Sequence, residues 1–354
     1  MIEPGDPCGR LSRRRLLRTA LVAGGAMTLG ACAAPAASAP PAPPAAPQAL
    51  RVLIATNEPW GTYHAEPLLA EAQRRGWTLT QLVPDLSEID ADEQVPVAVP
   101  GAFPEADLLV VTGAGDWPAD CLAQLPALPV VASSLAYLLP QEAPRAGEVR
   151  SRTRTATASS SAEAASFRAH LGLTGEVRVV GSAQTDGLPA RAAEPGTVLV
   201  LTSVTREDAT GAAAPGAQLL LDSARHLAAA GRRVVVGLHP REDRALWSEY
   251  EISPVPSVRA SAAAEVAIGI PGTVFPLVAA VGTPLVGCVD PALEVPDYLR
   301  AVCSAVIDDA AAAVAAVDSA RPLAPDALTA AVGPIGGSAG RLLDVWGEAV
   351  VAGR

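Results

Sequence analysis

The feature that most constrains the fold is an alternation of short apolar runs with stretches of helical periodicity, which starts at Arg51. Residues 52–55 read Val-Leu-Ile-Ala, and a continuous apolar run of this length is typical of a strand buried on both faces. Residues 64–75 follow with a helical pattern that ends before Gly76. Strands that alternate with helices predict parallel sheets covered on both faces, so the predicted fold class is α/β.

The alternation occurs in two halves. The first half has predicted strands at 52–55, 78–83, 107–112, 128–132 and 176–181, and predicted helices at 64–75 and 160–171. The second half has predicted strands at 197–202, 233–238, 265–270, 284–288 and 303–307, and predicted helices at 216–230, 272–281, 309–318 and 338–351. The sequence therefore predicts two Rossmann-like lobes, residues 50–190 and 191–354, with a cleft between them. The last predicted helix suits an arrangement in which the C-terminus crosses back to the first lobe.

The N-terminus combines an arginine cluster, a short apolar run and a cysteine. Residues 12–18 read Ser-Arg-Arg-Arg-Leu-Leu-Arg, and the apolar run at 19–31 is shorter than the roughly 20 residues that span a bilayer. Small residues then lead into Cys32. This stretch resembles a twin-arginine (Tat) lipoprotein signal. The resemblance implies a signal peptide at 1–31, export by the Tat translocase, and attachment of membrane lipid to Cys32 by lipoprotein-processing enzymes.

Residues 32–49 are predicted to form a stalk. They are almost entirely Ala, Pro and Ser, a composition that cannot bury a core and favours polyproline geometry. At about 3.1 Å per residue the stalk would hold the folded body roughly 40–50 Å from the lipid. The expected location is the extracytoplasmic face of the cell membrane.

Composition excludes several classes of function. The chain has 37 acidic and 26 basic residues, and an acidic body repels nucleic acid, so no nucleic-acid partner is expected. All 26 basic residues are Arg, and without lysine neither Schiff-base chemistry nor a Walker phosphate loop is available. No zinc-type spacing occurs, so no metal site is predicted. Cys288 and Cys303 are interpreted as small buried apolar side chains, and a disulfide after export is left open.

The most informative stretch is 234–243, Val-Val-Val-Gly-Leu-His-Pro-Arg-Glu-Asp. A buried strand delivers His239 and Arg241 to its carboxyl end, where open α/β sheets bind ligands, and Pro240 is predicted to open the next helix. Imidazole and guanidinium groups together suit a phosphate. The alternative is that His239 only caps the loop.

A second predicted anion site is the turn at 271–273, Pro-Gly-Thr, between a strand and a helix. Gly272 lets the backbone approach a ligand closely, and the free N–H groups of the helix start at Thr273 can hold an anion. Ser203, at the end of the first strand of the second lobe, could complete the same pocket. A nucleotide diphosphate is the ligand that these groups suggest, and the alternative is a plain capping turn.

In the first lobe, residues 57–64 read Asn-Glu-Pro-Trp-Gly-Thr-Tyr-His and form the first βα loop. His64 is the candidate catalytic residue, a general base toward an acceptor across the cleft, and Trp60 or Tyr63 could stack on a sugar. The alternative is a solvent-exposed histidine at a helix start. His170 and His226 lie in helical patterns and are predicted to be surface residues.

These stretches resemble proteins of the GT-B fold. Val-Val-Gly-Ser-Ala-Gln-Thr-Asp at 179–186 is similar to their interdomain segment, and the His-Pro-Arg and Pro-Gly-Thr stretches are similar to their nucleotide-binding lobe. The groups resembled are CDP-glycerol glycerophosphotransferases and UDP-GlcNAc 2-epimerases, over about residues 175–290. The resemblance implies that His239, Gly272 and Thr273 lie near a donor diphosphate, and that Asp290 or Glu294 lies near the ribose.

Two features depart from that pattern. The helix after Gly272 has no acidic residue where such enzymes commonly carry one, and the His-Gly segment of the glycerophosphotransferases is not visible near residues 133–137. The resemblance thus leaves two functions open. One is a transferase-like protein, active or degenerate, acting on envelope glycan or polyol phosphate. The other is a solute-binding lipoprotein that passes a small-molecule ligand to a transporter. A C-terminal helix that crosses back to the first lobe would favour the first.

Overall fold

The computed structural model describes residues 49–136, 138–204 and 215–352, and residues 47–354 form one compact unit. Within the described residues the first lobe contains a sheet of seven strands. These are β1 (Arg51–Ala55), β2 (Thr78–Leu82), β3 (Val97–Ala98), β4 (Leu108–Val111), β5 (Val130–Ser133), β6 (Thr153–Ala158) and β7 (Val177–Val179). All neighbours are parallel, in the order β3-β2-β1-β4-β5-β6-β7. The strand order therefore reverses between β1 and β4.

The helices of the first lobe are α1 (Leu69–Arg74), α2 (Asp116–Gln124), α3 (Ala146–Arg152) and α4 (Ser161–Leu171). The predicted helix at 64–75 begins instead as two 3-10 turns, Thr62–His64 and Glu66–Leu68, because Pro67 lacks the N–H that a regular helix needs further along. This break leaves His64 in a tight turn at the carboxyl edge of the sheet.

The second lobe repeats the architecture. Its strands are β8 (Glu194–Leu201), β9 (Arg233–Gly237), β10 (Glu251–Ile252), β11 (Ala264–Gly269), β12 (Leu285–Cys288) and β13 (Ala305–Ile307). Its helices are α5 (Ala217–Ala229), α6 (Ser257–Ser261), α7 (Val274–Val281), α8 (Asp297–Ala301), α9 (Ala313–Ser319) and α10 (Pro325–Val332). The parallel order β10-β9-β8-β11-β12-β13 is that of a dinucleotide-binding sheet, with its crevice at the reversal between β8 and β11.

Burial on both faces of the strands confirms the parallel α/β prediction. In β1, Val52 and Ile54 belong to one core cluster and Leu53 and Ala55 to another, as the two-residue period of a strand requires. The second sheet divides its strand residues between two clusters in the same way. Cys288 lies in the cluster on one face, whereas Cys303 packs against the cluster on the other face. Both are free thiols; Cys288 is buried as predicted, whereas Cys303 is half-buried.

The last helix, α11 (Ser338–Val351), crosses back to the first lobe as predicted. Its indole Trp346 is fully buried in the core cluster that contains Val52 and Ile54, and Trp346 Nε1 donates a hydrogen bond of 2.9 Å to Ser133 Oγ. Asp186, in the segment between the lobes, accepts hydrogen bonds from the backbone N–H groups of Ser338 and Ala339 at 2.7 and 2.8 Å. The link between the lobes therefore caps the helix that returns across them.

Strand β6 and the segment after Pro240 also differ from the sequence prediction. Strand β6 was not predicted, because its sequence Thr-Arg-Thr-Ala-Thr-Ala has no large apolar residue and becomes a strand by pairing with β5 and β7. The helix predicted to open at Pro240 is absent from the structure: residues 240–243 form a turn, and only a 3-10 helix, Arg244–Trp247, follows. Asp243 caps that short helix through the N–H of Ala245 at 2.9 Å, so the capping signal lies three residues later than Pro240.

Candidate functional site

The carboxyl edge of the second sheet brings together the residues predicted to bind an anion. The backbone N–H of His239, just beyond β9, donates a hydrogen bond of 2.8 Å to Oγ1 of Thr202, just beyond β8. Nδ1 of His239 accepts a hydrogen bond of 3.2 Å from the backbone N–H of Arg241. Ser203 follows Thr202 and is half-buried. The backbone of His239 is thus fixed to the end of β8, and the imidazole accepts a hydrogen bond through Nδ1.

The Gly272–Thr273 turn lies at the same edge, beyond β11, with β8 between it and the strand that precedes His239. Helix α7 begins directly after Thr273, whose side chain makes no capping hydrogen bond. A Cβ on Gly269 would collide with the carbonyl oxygen of Leu201, so the close approach of β11 to β8 requires glycine there. Thr202, Ser203 and the start of α7 therefore meet at the crevice of the sheet.

The first βα loop of the other lobe faces this edge. The rings of Tyr63 and His239 lie 6.4 Å apart, centroid to centroid, in an edge-to-face arrangement. Tyr63 also packs against His64 at 4.3 Å between ring centroids, and its hydroxyl donates a hydrogen bond to Glu58. Tyr63 therefore bridges the two candidate histidines, one from each lobe. Trp60, the other predicted stacking residue, is half-buried, and its Nε1 donates to the carbonyl of Asp85 at 3.0 Å.

Glu58 is a carboxylate that sequence reasoning did not assign. Burial alone would raise its pKa, but His64, Tyr63 and the nearby charge of Arg241 outweigh burial and lower the pKa to about 2. The carboxylate therefore stays ionised at neutral pH. Arg241, predicted to bind phosphate, has a second role in this arrangement, since its positive charge attracts Glu58 across the cleft.

His64 is buried, with 6% of its surface exposed, so the alternative of a solvent-exposed histidine is wrong. Its Nε2 lies 3.8 Å from Oε2 of Glu58, beyond hydrogen-bond length. Among the described residues neither ring nitrogen of His64 has a hydrogen-bond partner. A buried imidazole with both nitrogens available is suited to meet a ligand.

A cavity of about 50 Å³ lies between the lobes and is lined by His64 of the first lobe and Thr273 of the second. Residues 180–184 of the connecting segment close one side of it. The cavity therefore joins the candidate base to the residue that precedes α7. The geometry brings these two predicted site residues into one space, although they lie more than two hundred positions apart in the sequence.

Glu163 lines the same cavity and was missed by the sequence analysis. Its Oε1 accepts a hydrogen bond of 2.5 Å from Ser134 Oγ, and its Oε2 accepts from the backbone N–H of Ser159 at 3.1 Å and from the Ser159 hydroxyl. Burial raises the pKa of Glu163 to about 7, and these donors offset only part of that effect. The signal in the sequence was the capping box Ser160-x-x-Glu163, which indicates a helix start and not a site.

The residues implied to lie near a ribose differ in their surroundings. Glu294 Oε1 accepts a hydrogen bond of 2.7 Å from Gln141 Nε2 of the first lobe. Asp290 accepts from the N–H of Ala292 at 2.8 Å, and its Cβ is 3.3 Å from the position that a Cβ on Gly216 would take. Glu294 therefore contributes to contact between the lobes, whereas Asp290 faces the start of α5.

The other histidines divide between surface and interior. His226 is exposed on α5, as predicted. His170 is half-buried, and its Nε2 accepts a hydrogen bond of 3.3 Å from the N–H of Ala114, so its prediction as a surface residue was wrong. Its place in a helical pattern indicated the helix correctly but not the loop that packs over it. Burial lowers the pKa of His170.

Cys32 and the predicted signal peptide lie outside the described residues. In the part of the chain that the structure describes, no helix has both the length and the apolar character needed to cross a membrane. The same residues contain no group of three His, Cys, Asp or Glu side chains arranged to hold a metal ion.

The fold is similar to that of several solved proteins. MurG of Acinetobacter baumannii is 12% identical, with 84% of this chain and 99% of that chain covered and a TM-score of 0.53. UDP-GlcNAc 2-epimerase of Methanocaldococcus jannaschii is 12% identical, with 84% and 99% covered and a TM-score of 0.52. The wall teichoic acid polymerase TagF is 8% identical, with 85% and 89% covered and a TM-score of 0.57.

No family model matches the sequence, and no curated protein matches it either. At identities of 8–12% the structural similarity defines the fold and not the activity. Together with the two parallel sheets and the returning helix α11, it shows that the chain has the GT-B fold. The resemblance seen in the sequence is confirmed at this level.

Proposed function

We propose that this protein binds the diphosphate of a nucleotide-activated donor at the edge of the second sheet and acts on a hydroxyl-bearing acceptor of the cell envelope. The carrying observation is that His239 and the start of α7 share one sheet edge, while His64 faces that edge from the other lobe. In open α/β sheets this crevice is where ligands bind. Two of the neighbours named above are by their titles a UDP-GlcNAc 2-epimerase and a wall teichoic acid polymerase, which supports a nucleotide-activated donor.

In the proposed reaction, an acceptor oxygen forms a bond to the transferred sugar carbon or phosphorus while the bond to the nucleotide phosphate breaks. His64 takes the acceptor proton as general base. His239, Arg241 and the N–H groups at the start of α7 hold the charge that develops on the leaving phosphate. The ionised Glu58 lies 3.8 Å from His64 Nε2 and would stabilise the imidazolium that forms.

Thermal shift with nucleotides tests the donor site. At a ligand concentration of about 100 times Kd, binding stabilises the native state by about 2.7 kcal/mol, and the melting temperature should rise by roughly 5 °C or more. UDP, CDP, UDP-GlcNAc and CDP-glycerol are compared on the full chain. His239→Ala should remove most of the rise, whereas His226→Ala, a change at an exposed histidine of α5, should keep it.

A solute-binding lipoprotein is the competing function, and the same screen separates the two. Stabilisation by a free sugar or polyol, with no response to any nucleotide, would contradict the transferase-like proposal. The returning helix α11 packs on the first lobe, which is the arrangement expected of the transferase-like class.

We also propose that the chain is exported through its arginine cluster and held at the membrane by lipid on Cys32. The support is the order of arginines, apolar run and cysteine in residues 12–32. Cys32→Ser should move the protein from the membrane fraction to the soluble extracytoplasmic fraction, and Cys8→Ser is the matched control. Retention of Cys32→Ser in the membrane fraction would refute lipid attachment at this residue.

A further inference from the structure

An imidazole and a carboxyl group line the cavity between the lobes, and each side chain is more than nine-tenths buried. His64 is 6% exposed and Glu163 is 7% exposed. They come from different βα connections of the first lobe, after β1 and after β6. Burying either group costs free energy unless a partner compensates for the lost water. The pair therefore needs an explanation beyond packing.

Glu163 is held by donors from Ser134 and Ser159, whereas both ring nitrogens of His64 have no hydrogen-bond partner among the described residues. A neutral imidazole offers one donor and one acceptor. A hydroxyl group also offers one donor and can accept, so hydroxyl and imidazole are complementary. Burying two such nitrogens without a partner costs free energy, so a ligand that pairs with both of them gains affinity.

The charge of the cavity determines which ligands fit. Among the described residues that line it there is no arginine to compensate an anionic phosphate or carboxylate, and the carboxyl group of Glu163 repels such an anion whenever it is ionised. A cation gains little, because burial favours the neutral form of the Glu163 carboxyl and its oxygens already accept hydrogen bonds from both serines. The rest of the lining is largely apolar, with Leu135, Leu277 and Val332 among its side chains. A neutral ligand with hydroxyl groups is the best match.

The size of the cavity limits the ligand further. A volume of about 50 Å³ holds roughly three to five atoms of water size, since one water needs about 10–15 Å³. A sugar ring is too large to enter whole, whereas a hydroxymethyl group or a 1,2-diol fits.

We propose that this cavity is a binding site for the neutral hydroxymethyl or 1,2-diol end of a sugar or polyol, with His64 and Glu163 as its polar wall. As an acceptor site it rests on the proposed function, because the bound hydroxyl would lie beside the general base. Binding of the diol end does not itself require a nucleotide. The diol site can therefore fail its test while the nucleotide site passes, and the reverse is also true.

The test uses three probes of nearly equal size: ethane-1,2-diol, glycolate and 2-aminoethanol, which are neutral, anionic and cationic. Each is titrated into the full chain without nucleotide, and imidazole resonances of the four histidines are followed by NMR. The expected result is a saturable shift of the His64 resonances with the diol, and at least about tenfold weaker responses with the two charged probes. Equal or stronger binding of glycolate or 2-aminoethanol would overturn the proposal.

Two neighbouring alanines of α10 provide a matched pair of variants. Ala331 lines the cavity and is 4% exposed, whereas Ala330 is exposed on the same helix. Ala331→Leu fills the cavity and should weaken diol binding by at least about tenfold, while Ala330→Leu should change it less than about twofold. Undiminished binding to Ala331→Leu would refute the site. If Ala331→Leu does not fold, the proposal is tested in the unaltered chain by whether the diol binds more tightly than the two charged probes.

Discussion

Glu163→Gln should change how stability depends on pH. The substitution keeps the shape of the side chain and removes its titration. In the folded protein the pKa of Glu163 is raised from 4.5 to about 7, because burial disfavours the carboxylate. Below pH 4.5 the carboxyl is protonated in both the folded and the unfolded chain, so it does not penalise folding.

As pH rises from 4.5 to 7, the unfolded chain releases this proton and the folded chain keeps it. The free energy of unfolding of the unaltered protein therefore falls through this window and levels off above pH 7. The gap between 4.5 and about 7 corresponds to about 3 kcal/mol, since one pH unit is worth about 1.4 kcal/mol. Glu163→Gln lacks this loss, so its stability relative to the unaltered protein should rise by about 3 kcal/mol between pH 4 and pH 8.

Urea unfolding followed by tryptophan fluorescence measures the difference, at intervals of one pH unit from 4 to 8. Glu176→Gln makes the same chemical change at an exposed position after α4, and its curve should run parallel to that of the unaltered protein. Lost hydrogen bonds can displace the Glu163→Gln curve by a constant amount at every pH. The reasoning is refuted if the difference between Glu163→Gln and the unaltered protein stays constant within about 0.5 kcal/mol across the window.

The remaining predictions concern the segments that join the lobes. Asp186→Ala removes the carboxylate that caps α11 at two backbone N–H groups and should cost about 1–2 kcal/mol in urea unfolding; an unchanged midpoint would contradict the capping role. Gly333→Ala should be more damaging than Gly196→Ala, although φ is +77° and +79° respectively, because a Cβ at Gly333 alone would collide with the backbone of Ser159. Melting temperatures compare the pair, and equal losses would argue against tight packing between α10 and the turn before α4.

The sequence predicted the alternation of elements well because each central strand is buried on both faces. In β8, Val198 and Val200 pack into one core and Leu199 and Leu201 into the other, so all four are apolar. A continuous apolar run of this kind predicts a buried strand. Strand β6 could not be found this way, since its residues are Thr, Arg and Ala and its pairing partners determine its conformation. Helix α3 also escaped prediction, with only Ala146 and Val149 buried.

Only those residues of the candidate site that directly follow a strand could be predicted from the sequence. His239 and Gly272 follow strands of the same sheet, so the edge that they share can be derived from parallel pairing. The cavity could not be derived, because it depends on how the two lobes pack. Glu163 shows the limit: its spacing from Ser160 predicts a helix cap, and only the packed structure shows that its carboxyl lines the same cavity as His64.

The return of α11 to the first lobe has a consequence for how the chain must fold. Leu342, Leu343 and Trp346 of α11 complete the core around Val52 and Ile54 of β1, almost 300 residues earlier in the sequence. A ribosome must therefore synthesise the whole second lobe and α11 before the first lobe can bury this face. Until then the nascent first lobe has an exposed apolar surface and is open to aggregation or chaperone capture. Maturation of the first lobe is therefore expected to wait until α11 has been synthesised.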